Sequence, residues 1–273
     1  MAFDVSHPEV REAVRRALAE DIGPGDVTTN LCVPADALGT GRMVARESLT
    51  LAGVELLPLI FIGCTVELKR LSGDYLKAGG EIAVVQGPAR SLLTGERTAL
   101  NFVQRLSGIA TLAASYVRAV EGMRCRILDT RKTTPGLRRL EKMAAAAGGA
   151  VNHRMGLFDA VLIKNNHITA AGGVRAALER TRNAGVPVEI EVRTREELDE
   201  VLACGATHLL LDNLSPAQAR EWISHINRRA TVELSGGITL ETARAYAESG
   251  ADFLSSGAIT HSARAVDINF RIE

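Results

Sequence analysis

Six short apolar runs between residues 124 and 264, each trailing into a helical pattern, constrain this chain more than any other feature. The runs are Arg126–Asp129, Ala160–Lys164, Val188–Val192, His208–Asp212, Thr231–Ser235 and Asp252–Ser256, and their starts fall 20 to 34 residues apart. That spacing fits a strand plus a crossover helix, the unit that builds parallel sheets. Six such units in succession predict an α/β barrel, with an open doubly wound sheet as the alternative. A barrel gathers the loops after all its strands at one mouth, whereas an open sheet uses chiefly its switch point.

Each run ends on or beside polar or glycine residues: Asp129 to Lys132, Lys164-Asn165, Glu191 to Arg193, Asp212-Asn213, Ser235-Gly236-Gly237 and Ser256-Gly257. Polar groups collecting at strand C-termini of a barrel read as catalytic. Parity points the same way, because alternate strand residues face opposite sides. Glu189 and Glu191 share the inward face, while Val188, Ile190 and Val192 face the outer helices.

Charge sharpens the picture. The 32 basic and 32 acidic residues cancel, so no overall field draws the chain to nucleic acid or an acidic membrane. Between Arg124 and Arg154 the balance fails, with eight Lys or Arg against Asp129 and Glu141. Arg131, Lys132, His153, Arg154 and Lys164 fall where strands end or helices begin. They predict a pocket for a small, multiply anionic substrate.

The helix expected after Lys132 has Thr134 as N-cap, Pro135 at its first position and Gly148-Gly149 at its stop. Residues 1–107 read as a separate α+β domain: an amphipathic stretch from Val10 to Glu20, a turn-rich Asp21–Asp26, strand-like pieces near 41–47, 65–71 and 81–85, and a helix over 91–107. The barrel domain spans 108–264, and 265–273 is expected to pack back as a strand. Cys32, Cys64, Cys125 and Cys204 form no Cys-x-x-Cys pair, which argues against a zinc site or a disulfide framework and for a reducing cytoplasm. The first residues carry no signal-peptide pattern and no apolar run approaches a bilayer span, so neither export nor a membrane anchor is expected.

Several segments together resemble the quinolinate phosphoribosyltransferase family, also called carboxylating nicotinate-nucleotide pyrophosphorylase. They are Asp21–Thr29, Gly95–Asn101, Leu106–Thr111, Leu128–Arg138, Asn152–Asp159, Leu162–Ile168, Leu211–Asn213, Ser235–Gly237 and Gly257–Ser262, and their joint order makes the match specific. The resemblance implies a two-domain subunit with an open, seven-stranded type of α/β barrel. It implies transfer of phosphoribosyl from phosphoribosyl pyrophosphate to quinolinate, with decarboxylation to nicotinate mononucleotide, in de novo NAD biosynthesis. It also implies a homodimer, or a trimer of such dimers.

By that resemblance Arg131, His153, Arg154 and Lys164 hold quinolinate, with Thr130 beside them, and Lys132 lies between quinolinate and the ribosyl diphosphate. Arg97 reaches into the partner subunit's pocket. Glu191 and Asp212 become the carboxylates near the ribose and its Mg²⁺, while Ser235, Gly236, Gly237, Ser256, Gly257 and Ala258 cradle the 5-phosphate. These residue types suit the chemistry: arginine binds planar carboxylates and phosphates bidentately, lysine adds a point charge, and Mg²⁺ takes one or two carboxylates plus phosphate oxygens. The catalytic set is then Lys132, Glu191 and Asp212.

Plainer readings stand beside these. Arg97 alone reads as a surface helix residue, Glu189 as an interior ion partner, and His167 and His208 as hydrogen-bonded structural histidines. Ala150, Met143, Asn165 and Ser256 depart from the family's pattern without removing a proposed ligand. Rival functions are a molybdenum-associated or nicotinate-using phosphoribosyltransferase, a Schiff-base aldolase through Lys164, and an inactive ligand-binding protein.

Overall fold

A computed structural model describes residues 3–273. In chain order the first elements are α1 (Pro8–Ile22), α2 (Val27–Cys32), β1 (Leu38–Ala45), β2 (Leu49–Thr50), α3 (Leu57–Ile60), β3 (Thr65–Leu68), β4 (Tyr75–Leu76), β5 (Glu81–Pro88) and α4 (Ala89–Ala119). Next come β6 (Arg126–Leu128), α5 (Arg138–Ala147), β7 (Val161–Ile163), α6 (Asn165–Ala171), α7 (Val174–Thr181), β8 (Val188–Val192) and α8 (Arg195–Ala203). The chain closes with β9 (His208–Asp212), α9 (Pro216–Ile226), β10 (Thr231–Ser235), α10 (Leu240–Ala247), β11 (Phe253–Ser255), α11 (Ala258–His261) and β12 (Ile268–Ile272).

Two compact units result. One takes the residues up to Ala114 together with Thr133–Gly149 and Ile259–Glu273; the other takes Ser115–Lys132 and Ala150–Ala258. This division differs from the contiguous split at 107/108, and the reason lies in α5. Leu140, Met143, Ala144 and Ala145 are buried. Arg139 pairs with Glu9 at 2.9 Å, Glu141 with Arg105 at 3.0 Å, and Gly148 lies so close to Ala110 that a Cβ would stand 2.3 Å from its carbonyl oxygen. The first unit also holds an antiparallel sheet in the order β12-β1-β5-β3. The C-terminal strand pairs with β1 from Gly41↔Ile272 to Ala45↔Ile268, and Phe270 stacks on Phe61 at 5.3 Å.

The start of α5 departs from the sequence reading. Thr134 is not its N-cap: the helix begins at Arg138, and Gly136 turns the chain at φ +80°. Glu141 reaches back and accepts from both the amide (3.0 Å) and the hydroxyl (2.7 Å) of Thr134. A buried carboxylate needs such donors.

The second unit contains a parallel sheet in the order β6-β11-β10-β9-β8-β7, with all six strands at the runs read from the sequence. Val151 adds a single parallel bridge to Leu128, a one-residue seventh position on the β6 edge. Together they make the open α/β barrel, with helices between successive strands. Ile190, Val192, Leu209, Leu211, Val232, Leu234 and Leu254 are buried, consistent with faces covered by helices. Pairing sets Glu191, Leu210 and Glu233 level across β8, β9 and β10. Among the described residues no helix is long and apolar enough to cross a membrane.

Candidate active site

The strand ends of the barrel unit carry the site. Beyond β6, Asp129 is fully buried and ties down the irregular segment after the Val151 bridge. Its carboxylate accepts the His153 amide at 2.9 Å and the Asn152 side-chain amide at 2.6 Å. The His153 Nε2 then lies 3.3 Å from Glu189 and 3.4 Å from Glu233, and its Nδ1 accepts the Arg154 amide at 2.7 Å. Burial works against charge on this imidazole, but the two carboxylates outweigh it and push its pKa up to about 10. Burial likewise raises Glu233, and the His153 hydrogen bond opposes that rise. The Arg154 amide faces Nδ1, so the ring presents Nε2 to the two carboxylates.

Arg154 sits in a loop held by Asp159, which accepts the amides of Met155 (2.6 Å) and Gly156 (2.9 Å). One of its η nitrogens donates to the Ala160 carbonyl at 3.0 Å. Burial and then the positive charge of Arg131 hold the Arg154 guanidinium below its usual range, with Asp159 and Glu189 opposing. Two cations thus repel one another in the barrel mouth.

A second cluster adjoins β8 and β9. Arg193 donates to Glu191 from Nε at 3.0 Å and from an η nitrogen at 2.9 Å. Burial and then the negative charge of Glu191 raise Asp212 above the usual carboxylate range; Arg193, Lys164 and Lys132 pull it back down. Five charges from four strand ends therefore act on one locality. Lys164 caps α6, its amide donating to Nδ1 of His167 at 2.9 Å. Thr130 accepts the Lys132 amide at 3.0 Å, which shapes that turn. His167 and His208 are hydrogen-bonded, the latter to Thr207 at 3.1 Å, as the plainer reading held.

The loop after β10 is built on close approach. Asn213, itself at φ 59°, donates its amide to Ser235 O (2.9 Å) and its side chain to Asp212 (2.7 Å). Gly236 lies against it at φ +95°, where a Cβ would stand 2.2 Å from Asn213 Oδ1. Ser256 is tied into the same loop. Its hydroxyl donates to Ile238 O at 2.9 Å and its amide to Leu128 O at 3.3 Å, which braces the loop. Tyr116 adds a second hydroxyl on Ile238 O at 3.3 Å. Gly257 and Ala258 follow at the start of α11. Arg97 is exposed on α4, in the other unit, and takes part in no ion pair among the described residues.

Residues 26–107 match the N-terminal domain, and residues 109–271 the C-terminal domain, of quinolinate phosphoribosyl transferase. The chain belongs to the quinolinate phosphoribosyltransferase family. It is 44% identical to the nicotinate-nucleotide pyrophosphorylase [carboxylating] of Mycobacterium leprae over 98% of this chain and 99% of that one. A probable enzyme of the same name from Bacillus subtilis is 38% identical over 98% of this chain and 95% of its own. The solved nicotinate-nucleotide pyrophosphorylase from Francisella tularensis superposes with a TM-score of 0.92 at 36% identity, covering 97% of this chain and 96% of that chain.

The sequence reading missed Glu233 and Tyr116, and named Asp129 and Asn213 only among the polar groups at strand ends. Glu233 had a signal: it is an acid at the centre of the apolar run Thr231–Ser235, in the alternation that marked Glu189 as inward-facing. Asp129 was visible as the polar end of its run, but its partners were not, since they lie on a segment without regular structure.

Proposed function

We propose that this chain joins the ring nitrogen of quinolinate to C1 of phosphoribosyl pyrophosphate, releasing diphosphate, and then removes the carboxylate at ring position 2 as carbon dioxide. The product is nicotinate mononucleotide. Family membership over the whole chain supports the activity. The observation that carries the site is that Arg131 and Arg154 act on one another at the barrel mouth, where a dicarboxylate pairs with both guanidinium groups. On this reading Arg131, His153, Arg154 and Lys164 hold quinolinate, and Lys132 bridges towards the ribosyl diphosphate.

Glu191 and Asp212 face the ribose, where positive charge develops as the diphosphate leaves. Their donor set also fits Mg²⁺: both offer hard oxygens, and burial followed by the neighbouring Glu191 charge raises Asp212. When bound, Mg²⁺ neutralises the departing diphosphate. Among the described residues the one group of three metal-capable side chains is His153, Glu189 and Glu233, whose imidazole suits Mg²⁺ less well. Gly236, Gly237, Gly257 and Ala258 offer backbone amides to the 5-phosphate.

The same reading has the chain working as a homodimer, with Arg97 completing the partner's pocket. Exposed Val27, Leu31, Leu38 and Ile62, each at least 70% accessible, give the first unit apolar surface for such an interface. Four free cysteines accord with a reducing cytoplasm. Incubation with quinolinate, phosphoribosyl pyrophosphate and Mg²⁺ tests the proposal: nicotinate mononucleotide and carbon dioxide are expected in equal amounts. Turnover of nicotinate in place of quinolinate would refute it.

A further inference from the structure

The quinolinate reading leaves one buried group without a task. Glu233 is only 4% exposed, lies on the inward face of β10 and belongs to no proposed ligand set. A buried carboxylate is costly unless its surroundings donate to it, and the donors here are the Ser255 side chain and the His153 Nε2 at 3.4 Å, with Glu189 on the same nitrogen at 3.3 Å. The ring's other nitrogen takes the Arg154 amide at 2.7 Å. Asp129 holds the same segment from its other side through the His153 amide (2.9 Å) and Asn152 (2.6 Å). Acids just beyond β6 and on β8 and β10 thus grip three polar groups of a segment that has no ladder beyond Val151.

We propose that Glu189 and Glu233, with Asp129, are positioning residues that orient His153 and, through its Nδ1, the backbone of Arg154 for the recognition of quinolinate. They act by accepting hydrogen bonds and touch no substrate. The logic is that of outer residues that fix the ring orientation of a working histidine. The segment from Asn152 to Arg154 needs this support because a single bridge, rather than a strand, precedes it. This inference rests on the quinolinate site proposed above.

Glu233→Leu removes the acceptor at similar bulk, and Glu233→Gln restores an acceptor without charge. In the dimeric full chain, Glu233→Leu is expected to raise the KM for quinolinate roughly 10- to 100-fold, the loss of a hydrogen bond to a charged partner. The KM for phosphoribosyl pyrophosphate should stay within about threefold, and Glu233→Gln should recover most of the loss. In a His153→Leu background, Glu233→Leu should add nothing, since both changes break one link. Glu189→Leu and Glu189→Gln, at a half-buried site, repeat the comparison if Glu233→Leu does not fold.

Equal effects on both substrates, additivity with His153→Leu, or Gln variants as impaired as Leu variants would each overturn the proposal. Arg154→Ala separates the two levels. If it spares the quinolinate KM, the site itself is misplaced; if it raises that KM while neither Leu variant does, only the positioning role fails.

Discussion

Gly236→Ala should damage the phosphoribosyl half of the reaction while sparing the quinolinate half. Gly236 sits at φ +95°, and an added Cβ would stand 2.2 Å from Asn213 Oδ1 and 2.8 Å from Asn213 N. The side-chain oxygen can swing aside, but the backbone nitrogen cannot, because its amide is bonded to Ser235 O at 2.9 Å. The backbone conformation alone costs about 1–2 kcal/mol for a residue with a Cβ. Swinging Asn213 aside also breaks its 2.7 Å bond to Asp212, a loss of roughly 1.5 kcal/mol or more for a charged acceptor. The total, about 3 kcal/mol, corresponds to a melting temperature lower by about 6–12 °C in a chain of this size. Because misplacement by about 1 Å can reduce rate 100-fold, kcat/KM for phosphoribosyl pyrophosphate should fall by about that factor. The KM for quinolinate should change less than about threefold, since Arg131 and Arg154 stand on other strand ends. Differential scanning calorimetry and initial-rate kinetics with each substrate varied measure both. A variant that melts with the wild type and keeps its phosphoribosyl pyrophosphate kinetics would refute the close-approach argument.

Other consequences concern stability and reactivity. Glu141→Leu, which strips Arg105 and Thr134 of a fully buried partner, should cost about 3 kcal/mol, and Glu141→Gln should recover part of it in a melting assay. Hydrogen bonds from Arg264 and the Asp267 amide depress the Glu47 pKa to about 2. Its contribution is therefore present above the ordinary glutamate range and is lost as pH falls from about 4.5 towards 2, so wild type and Glu47→Gln should converge in stability across that window. Burial pushes the Cys125 thiol up to about 12. In mass spectrometry after alkylation at pH 8, Cys125 should stay unmodified until the chain is unfolded, and labelling of the native protein would contradict its burial.

The barrel was legible because short apolar runs recur at the interval of a strand plus a crossover helix, and β8, β9 and β10 fall where the runs placed them. Strand ends showed the charged residues for the same reason. What stayed hidden depends on contacts distant in sequence or on segments without periodicity. Thr134 has the sequence of a helix cap, yet Glu141, seven residues on, claims both its donors. Ser256 reads as a loop ligand, yet the carbonyl of Ile238 takes its hydroxyl. The grouping of Thr133–Gly149 with the N-terminal residues follows from the buried face of α5, whose partners lie far away along the chain.

The central claim is that cations at one mouth of the barrel bind quinolinate. Its most direct measurement is the KM for quinolinate in Arg131→Ala, Arg154→Ala and Lys164→Ala, each checked by melting temperature. Values raised at least tenfold in all three, with melting within a few degrees of wild type, are predicted. Three variants that fold and bind quinolinate like the wild type would place its site elsewhere.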